Sequence, residues 1–367
     1  MRQYNEELIS LKSSYDISKI VNTKDILFVD IETTGLSPKN SHIYIIGCIY
    51  MCGGVWNLTQ FFAESADEEK ELLEAFLQLA SRYGTFIHFN GNKFDMPFIK
   101  ARCESNGLSF DPDAYDGIDL YKRITPYKHV LHLNNCKQKS IEEFLGINRV
   151  DEFSGGELIK VYKEYIASPD DELYTTLFRH NYDDMIGMIQ ILPILAYGDL
   201  FTGELHVTKV TANTYSDVYD NKRKELLITF SIPSTLPTPF AFNACECYLS
   251  VKGNSGILKI PVYQEEMKYY YDNYKDYYYL PEEDMAIHKS VAVYVDKNFR
   301  KQAAPSTCYT RKSGEFLPQW DIIFTPFFKR DYDSKNTFFE MTDDIKHNRE
   351  QFDKYINHIV LMMINYK

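Results

Sequence analysis

Residues Asp25–Leu36 read DILFVDIETTGL, and this stretch decides the fold of the first half of the chain. Its apolar run, Ile26–Val29, predicts a buried β-strand. Asp30 and Glu32 lie two residues apart, so on a strand their carboxylates point to the same face. Two like charges side by side are costly unless a cation lies between them. Because D-x-E also occurs at strand ends whose acids are solvated, this stretch leaves both interpretations open.

The residues that follow predict the other layers of a mixed α/β sheet with flanking helices. Cys52–Gly54 is a plausible hairpin turn between two strands, and acids in the first turn support a helix from Asp67. Pro193 is expected to kink or end the last helix. Strands are predicted at Ile43–Met51, Val55–Phe62 and Thr85–Phe89, and helices at Asp67–Tyr83, Phe94–Cys103, Gly156–Ile166 and Asp170–Leu195.

A second acidic motif lies in His88–Phe98, which reads HFNGNKFDMPF. It leads out of a predicted strand and brings Asp95 to the strand's carboxyl end, where α/β sheets build their sites. The alternative is that Asp95 only caps the helix in which Pro97 stands, because Asp and Pro both suit a helix start.

A third motif, His180–Asp184, reads HNYDD on a predicted helix. His180 and Asp184 are four residues apart and therefore share a face, and a histidine can act as a base near neutral pH. A helix surface with an incidental histidine and aspartate is the alternative. Tyr182 is a rival base, because related sites use a tyrosine four residues before the acid. Four residues after Tyr182 the sequence has Ile at position 186, so this spacing is not met.

Together the three motifs resemble those of the DEDD superfamily of exonucleases, in its histidine variant. Residues about 24–198 resemble the bacterial YprB-type ribonuclease-H-like domain, and further similar segments support this. Those segments are Asp119-Leu120, Ser140–Gly146 and Ser154-Gly155. The resemblance implies a ribonuclease-H-like fold for the first half and leaves the second half without a family.

The resemblance also implies a reaction: 3′–5′ exonuclease hydrolysis of DNA or RNA phosphodiester bonds. Two divalent cations, Mg²⁺ or Mn²⁺, would be held by Asp30, Glu32, Asp95 and Asp184, with His180 as the general base. Substrate contacts are expected from residues beside these acids, with Phe89 as an alternative stacking residue to Phe94. They are Thr33, Thr34, Leu36, Asn90, Phe94 and Asn181.

The alternative function is a catalytically inactive protein on a nuclease fold that binds nucleic acid or recruits a partner. Intact acids at all four positions favour the enzyme. Ribonuclease-H-type endonucleases lack both the D-x-E on the first strand and the H-x-x-x-D on the last helix, so the motifs favour an exonuclease. The expected partner is a nucleic acid with a single-stranded 3′ end, and a protein partner of the second half stays open.

Charge and composition set the remaining bounds. The net charge is −12, and residues 1–203 carry most of it, with 19 basic and 30 acidic residues. Clustered carboxylates there suit cation binding. Seven cysteines without a C-x-x-C pair indicate reduced thiols. No membrane partner is expected, since no run of about 18 apolar residues occurs. The polar first twenty residues lack a signal-peptide core, so a cytoplasmic location is expected.

The chain is expected to divide near residue 200 into a ribonuclease-H-like exonuclease domain and a β-rich domain. The assigned ranges are 1–23 for an N-terminal extension, 24–200 for the exonuclease domain and 201–367 for the β-rich domain. The second part has strand-like segments and a helix predicted over Asp344–Asn365. Those segments read HVTKVTA, ELLITFSI, CECYLSV, ILKIPVY, SVAVYVD and WDIIFTPFF.

Two stretches are rich in basic residues. Tyr121–Ser140 contains five Lys or Arg and two His with no acid, and is either a phosphate-contacting entry or a solvated loop. Ile287–Lys312 contains six Lys or Arg, one acid and three interleaved aromatics, Tyr294, Phe299 and Tyr309. This mixture is typical of a single-strand binding groove. Alternate aromatics on a strand are more often core, however, and that interpretation is favoured for this stretch.

Overall fold

The computed structural model describes residues 1–148, 153 and 155–366. Two compact units make up the chain, Met1–Gly198 with Ser234–Thr238, and Asp199–Pro233 with Pro239–Lys367. The strands of the first unit are β1 (Arg2–Leu8), β2 (Ile26–Thr33), β3 (Ile43–Cys52), β4 (Val55–Phe62), β5 (Thr85–His88) and β6 (Asp116–Asp119). Its helices are α1 (Glu69–Ala80), α2 (Asp95–Ser105), α3 (Leu120–Ile124), α4 (Gln138–Phe144), α5 (Gly155–Ala167) and α6 (Asp171–Gln190), while α7 (Leu195–Thr202) leads into the second unit.

The six strands form one mixed sheet in the order β1-β4-β3-β2-β5-β6. Strands β2, β3, β4 and β1 pair antiparallel, whereas β5 and β6 run parallel to β2. Gly53 and Gly54 close the β3–β4 hairpin with positive φ angles, which glycine adopts without a Cβ clash. The predicted mixed sheet is confirmed, and it brings the carboxyl ends of β2, β5 and β6 to the same edge.

Helices cover both faces of this sheet. On one face α1 and α2 pack Leu72, Phe76 and Ile99 against the inward side chains of β2. On the other, the aromatics of α5 pack against β3 and β4, where the rings of Tyr44 and Tyr162 stack with centroids 4.1 Å apart. Strand β2 is therefore covered on both sides, which accounts for its continuous apolar run.

The long helix α6 begins at an Asp170 cap whose carboxylate accepts from the Glu172 N–H. It ends at Gln190, and a short 3₁₀ turn containing Pro193 separates it from α7, so the expected break at this proline is confirmed. Among the described residues, the helical stretch Asp171–Thr202 is the one long and apolar enough to cross a membrane. Two thirds (67%) of its apolar window is buried inside the protein, as in a core helix.

Strand β1 lies inside the range that the sequence assigns to an N-terminal extension, and it is instead the edge strand of the sheet. Arg2–Leu8 pairs with β4 over its whole length. Most of its side chains are exposed on both faces, so its sequence carries no alternating apolar pattern from which a strand is read. Ser154, one residue of the resemblance, lies outside the described residues.

The second unit is β-rich, as predicted. Its strands are β7 (His206–Ser216), β8 (Lys222–Ser231), β9 (Phe240–Ala244), β10 (Cys247–Lys252), β11 (Ser255–Tyr270), β12 (Tyr277–Leu280), β13 (Met285–His288), β14 (Lys301–Gln302), β15 (Tyr309–Gln319), β16 (Phe327–Phe328) and β17 (Thr337–Glu340). Helices α8 (Lys289–Ala292), α9 (Asp343–Lys346) and α10 (Arg349–Asn365) complete it. An eight-stranded sheet is centred on β11, and a small sheet has the order β13-β12-β14.

Two strand predictions in this unit are wrong. SVAVYVD (residues 290–296) forms the end of α8 and a turn, because its valines and tyrosine are mostly exposed and one residue, Ala292, anchors it. WDIIFTPFF (residues 320–328) is largely irregular, and only β16 at its end pairs with a neighbour. Apolar and β-branched residues mark strands only where a sheet covers them.

Candidate metal and catalytic centre

Asp30 and Glu32 lie on the same face of β2, as their two-residue spacing predicts, and both contact residues of α6. Asp30 lies opposite Gly47 of β3 in the strand register. Glu32 is buried, and its Oε1 lies 3.6 Å from His180 Nε2. The strand therefore delivers both acids to the same side of the sheet, close to one helix.

Asp95 reaches the same place from α2. It is the first residue of that helix, and the N-cap position before it is held by Phe94 without a side-chain hydrogen bond. The Asp95 Oδ1 accepts instead from the Ile31 N–H of β2 at 3.3 Å. Burial, helped by repulsion from Asp119 and Asp184 and opposed by backbone hydrogen bonds, raises the pKa of Asp95 to about 7. This carboxylate is thus tied to the acidic strand.

Helix α6 supplies the remaining two groups. His180 Nε2 lies 3.3 Å from Asp184 Oδ2, one turn along the same face. One ligand atom from each of Glu32, His180 and Asp184 lies within 4.8 Å of the other two. The chain therefore brings all five sequence-predicted residues, from β2, α2 and α6, to one cluster.

Asn181 is completely buried and joins the cluster from behind. Its Nδ2 donates to Asp30 Oδ2 at 2.9 Å, and its Oδ1 accepts from Gln60 Nε2 of β4 at 2.8 Å. A Cβ at Gly47 would overlap the Asn181 amide, so glycine is needed where β3 passes under the helix. The sequence predicts a substrate contact for Asn181, whereas the structure places its amide against a carboxylate, out of reach of solvent.

The electrostatics of the cluster favour a cation. Burial, together with repulsion from Asp184, Asp95 and Glu32, raises the pKa of Asp30 well above its usual range, although the Asn181 hydrogen bond opposes the shift. Carboxylate oxygens are the ligands that Mg²⁺ and Mn²⁺ prefer. The four carboxylates therefore fit the divalent cations that the sequence predicts.

The other residues named as substrate contacts lie in different settings. Thr33 Oγ1 donates to the Gly35 carbonyl at 2.8 Å, and the side chain of Leu36 is exposed. The Asn90 backbone has a φ of 62° and its N–H donates to Asp119 Oδ1 at 2.9 Å. Two further members are half-buried: Thr34, whose Oγ1 accepts from the His42 N–H, and Phe94, whose ring tilts against Phe98.

Tyr182, the rival base, points elsewhere. Its hydroxyl donates to Glu6 Oε1 on β1 at 3.4 Å. Burial raises the pKa of Tyr182 to about 12, and the neighbouring Glu6 adds to the shift. Both observations agree with the spacing argument, which favours His180 over Tyr182 as the general base.

Asp119 is a buried acid near the cluster to which the sequence assigns no role. Its Oδ1 accepts from Asn90 N–H and, at 3.4 Å, from the Lys122 N–H at the start of α3. It therefore holds the loop that carries Asp95. The sequence signal for it is Asp119-Leu120, where Asp119 is the last residue of β6, as Asp30 and Glu32 lie near the end of β2. The basic stretch Tyr121–Ser140 follows it as α3, a short turn and the start of α4.

Comparison with known proteins supports the fold. Residues 27–196 match the model of the RNase_H superfamily. The chain is 23% identical over 221 residues to the uncharacterized protein YprB of Bacillus subtilis. This alignment covers 58% of this chain and 52% of YprB. The chain thus spans about half the length of this curated relative.

Solved structures give a weaker likeness. The family B DNA polymerase of the archaeon Pyrobaculum calidifontis has a TM-score of 0.38 at 16% identity, covering 48% of this chain and 24% of the polymerase. The zinc-bound E. coli exonuclease I–ssDNA complex has a TM-score of 0.29 at 13% identity, covering 57% and 55%. Scores of this size mark a partial likeness. The ribonuclease-H-like assignment of the first unit rests on its sheet order and on the matched family model.

Proposed function

We propose that the ribonuclease-H-like unit is a metal-dependent 3′–5′ exonuclease that hydrolyses phosphodiester bonds of DNA or RNA. The observation that carries this proposal is the convergence of Asp30, Glu32, Asp95, Asp184 and His180 on one cluster. A core of this kind needs none of these charges for stability, and burying them costs free energy unless a ligand compensates. Their placement therefore points to chemistry.

Each group has a part in this chemistry. When bound at the four carboxylates, divalent cations supply the Lewis acidity that activates a water and stabilises the leaving 3′ oxygen. His180 takes the proton of that water, for which its place between Glu32 and Asp184 is suited. Asn181 keeps the Asp30 carboxylate in its orientation. Asp119 holds the Asn90 loop that leads to Asp95.

The polarity and the substrate class rest on the three motifs and their resemblance to the histidine variant of the DEDD exonucleases. A single-stranded 3′ end is the substrate that this resemblance favours. The polymerase is a DNA polymerase, and the exonuclease I complex contains single-stranded DNA. The acidic cluster itself does not distinguish DNA from RNA.

The test compares strands labelled at either end. Purified protein is incubated with 5′-labelled and 3′-labelled single-stranded DNA and RNA, with Mn²⁺ or with EDTA. We expect a shortening ladder from the 5′ label, immediate release of the 3′ label as a mononucleotide, and no reaction in EDTA. Internal fragments, or loss of the 5′ label first, would overturn the exonuclease assignment. Equal activity of an Asp30→Ala variant would overturn the metal site.

A further inference from the structure

The second unit carries an exposed segment that combines aromatic and basic side chains. This aromatic–basic segment, Val291–Lys301, connects β13 to β14 of the small sheet and contains the end of α8 and a 3₁₀ turn. Tyr294 is 90% exposed, and Phe299 is 54% exposed. The interpretation that these rings belong to a core is therefore wrong for both, although it is correct for the buried Tyr309.

The backbone of the segment is held in place while these side chains face solvent. Ala292 is fully buried and anchors α8. Asp296 caps the 3₁₀ turn by accepting from the Asn298 N–H at 2.8 Å. The Arg300 guanidinium donates to the Ala292 carbonyl and lies 5.0 Å from the centre of the Tyr278 ring. A fixed backbone presents the exposed rings at a low cost in conformational entropy.

The small sheet beneath the segment has its own packing. Ala286, Ala303 and Cys308 form its buried centre. The rings of Tyr271 and Tyr277 stack on each other with centroids 4.4 Å apart. Much of the late tyrosine run is thus used for packing. Tyr294 and Phe299 make no ring–ring contact within the described part of the chain, so their removal leaves this core intact.

The charges of the segment are positive and partly uncompensated. It contains Lys297, Arg300 and Lys301 against the single acid Asp296. Within the described ranges, neither Lys297 nor Lys301 has a carboxylate oxygen within 4.0 Å, whereas the preceding Lys289 pairs with Asp276 at 2.7 Å. The surface therefore offers aromatic faces beside cations in a chain whose net charge is −12.

We propose that the aromatic–basic segment binds single-stranded nucleic acid, as a second contact for the strand that the first unit degrades. The inference rests on the proposed function for its choice of ligand. Bases stack on exposed aromatic rings, and phosphates bind nearby lysines and arginines, without a requirement for sequence. An anionic membrane surface would also attract these lysines, and a vesicle measurement distinguishes it from a nucleic acid. A protein partner does not by itself require Lys297 and Lys301, the lysines without a nearby carboxylate among the described residues.

Binding is measured with the whole chain in EDTA, so that the strand stays intact. Fluorescence anisotropy of a labelled single-stranded oligonucleotide is followed for wild type and for the double variant Tyr294→Ala/Phe299→Ala. The matched control is Tyr219→Ala, because Tyr219 is 82% exposed on the β7–β8 turn of the same unit. We expect the double variant to raise Kd about tenfold or more, with the control unchanged. Unchanged Kd in the double variant overturns the inference.

The lysines are tested by the salt dependence of the same binding. Lys297→Ala/Lys301→Ala is expected to reduce the slope of log Kd against log salt by about 0.7 for each lost phosphate contact. An unchanged slope overturns the phosphate part of the inference. Binding of wild type to anionic phosphatidylserine vesicles that is lost in the aromatic variant, with oligonucleotide binding retained, identifies a membrane surface and also overturns it.

The proposed exonuclease function and the binding inference can each fail without the other. The exonuclease reaction on a 3′-labelled single strand with Mn²⁺ is measured in parallel for wild type and for the Tyr219→Ala control, which is expected to react at the wild-type rate. If no exonuclease reaction occurs but the oligonucleotide binds through this segment, the inference stands as a binding site and the enzymatic proposal falls. If the reaction occurs and the segment variants bind normally, the enzyme stands and the inference falls.

Discussion

The Asn181 side-chain amide donates a hydrogen bond to Asp30 Oδ2 at 2.9 Å, so a buried neutral residue of α6 fixes the orientation of an acid on β2. Gln60 on β4 holds the amide in turn, through a bond of 2.8 Å to Asn181 Oδ1. These two hydrogen bonds, from Gln60 through Asn181 to Asp30, link β4 to β2 and end at the acidic cluster. Residues that orient a metal ligand in this way affect metal affinity although they do not touch the metal.

Replacing Asn181 is therefore expected to impair the centre without removing any ligand. Asn181→Ala should lower activity and Mn²⁺ affinity by about 10- to 100-fold, since Asp30 loses its hydrogen bond. Initial rates over a Mn²⁺ titration measure both effects. Thr175→Ala is the control, because Thr175 is exposed on the same helix and bonds to the Asp171 carbonyl. Wild-type rates in Asn181→Ala would remove Asn181 from the centre.

Gly47 is expected to be intolerant of a side chain. A Cβ there would overlap the Asn181 amide and lie 2.7 Å from Met185 Cγ. Overpacking of a core costs about 1–3 kcal/mol, so Gly47→Ala should lower the free energy of unfolding in urea by that amount and also reduce activity. Gly156→Ala in α5 is the matched change, with open space around the new Cβ. Helical alanine is expected to be neutral or stabilising by about 0.5–1 kcal/mol. Equal effects of the two substitutions would contradict the packing argument.

His180 and Tyr182 separate the two candidate bases. His180→Ala should reduce kcat by about 10²- to 10⁴-fold, the usual size of a general-base contribution. Tyr182→Phe removes a hydroxyl that faces Glu6 and should leave kcat unchanged. Steady-state rates at saturating strand concentration give the comparison. A large loss in Tyr182→Phe with a small one in His180→Ala would reverse the assignment.

Glu69 and Arg102 form an ion pair that supports the fold and plays no part in the chemistry. Glu69 is buried, accepts from the Ile43 N–H at 2.8 Å, and takes two hydrogen bonds from Arg102. Arg102→Ala leaves this carboxylate unpaired and should lower the free energy of unfolding by about 3 kcal/mol. Lys100→Ala, which removes an exposed pair with Asp111, should cost less than about 1 kcal/mol. Urea denaturation measures the loss of unfolding free energy in both variants. Equal losses would contradict the role of burial.

The sequence predicts the first unit well where its elements obey a strong period. Strands β2, β3, β4 and β5 have uninterrupted or alternating apolar residues, and α1 has an apolar stripe with acids at its start. Strand β1 was missed because its side chains are polar on both faces. The 290–296 segment was misread because its valines and tyrosine imitate a strand, whereas their exposure depends on how little of the chain covers them.

The predicted centre shows the same division. The acids and His180 follow from motif spacing, since a strand period of two and a helical step of four set which side chains share a face. The link from Gln60 through Asn181 to Asp30 joins residues that are far apart in sequence. Likewise, the hold of Asp119 on the Asn90 loop requires the parallel pairing of β5 with β6. Such contacts appear only once the sheet order is known.

The comparison of two adjacent aspartates tests the central claim most directly. Asp184 lies 3.3 Å from His180 in the cluster, whereas Asp183, the next residue, lies 3.8 Å from Arg179. Asp184→Asn and Asp183→Asn remove the same charge one position apart. With a 5′-labelled single strand and Mn²⁺, the account predicts no shortening ladder for Asp184→Asn and a wild-type ladder for Asp183→Asn. A full ladder from Asp184→Asn, still abolished by EDTA, would contradict it.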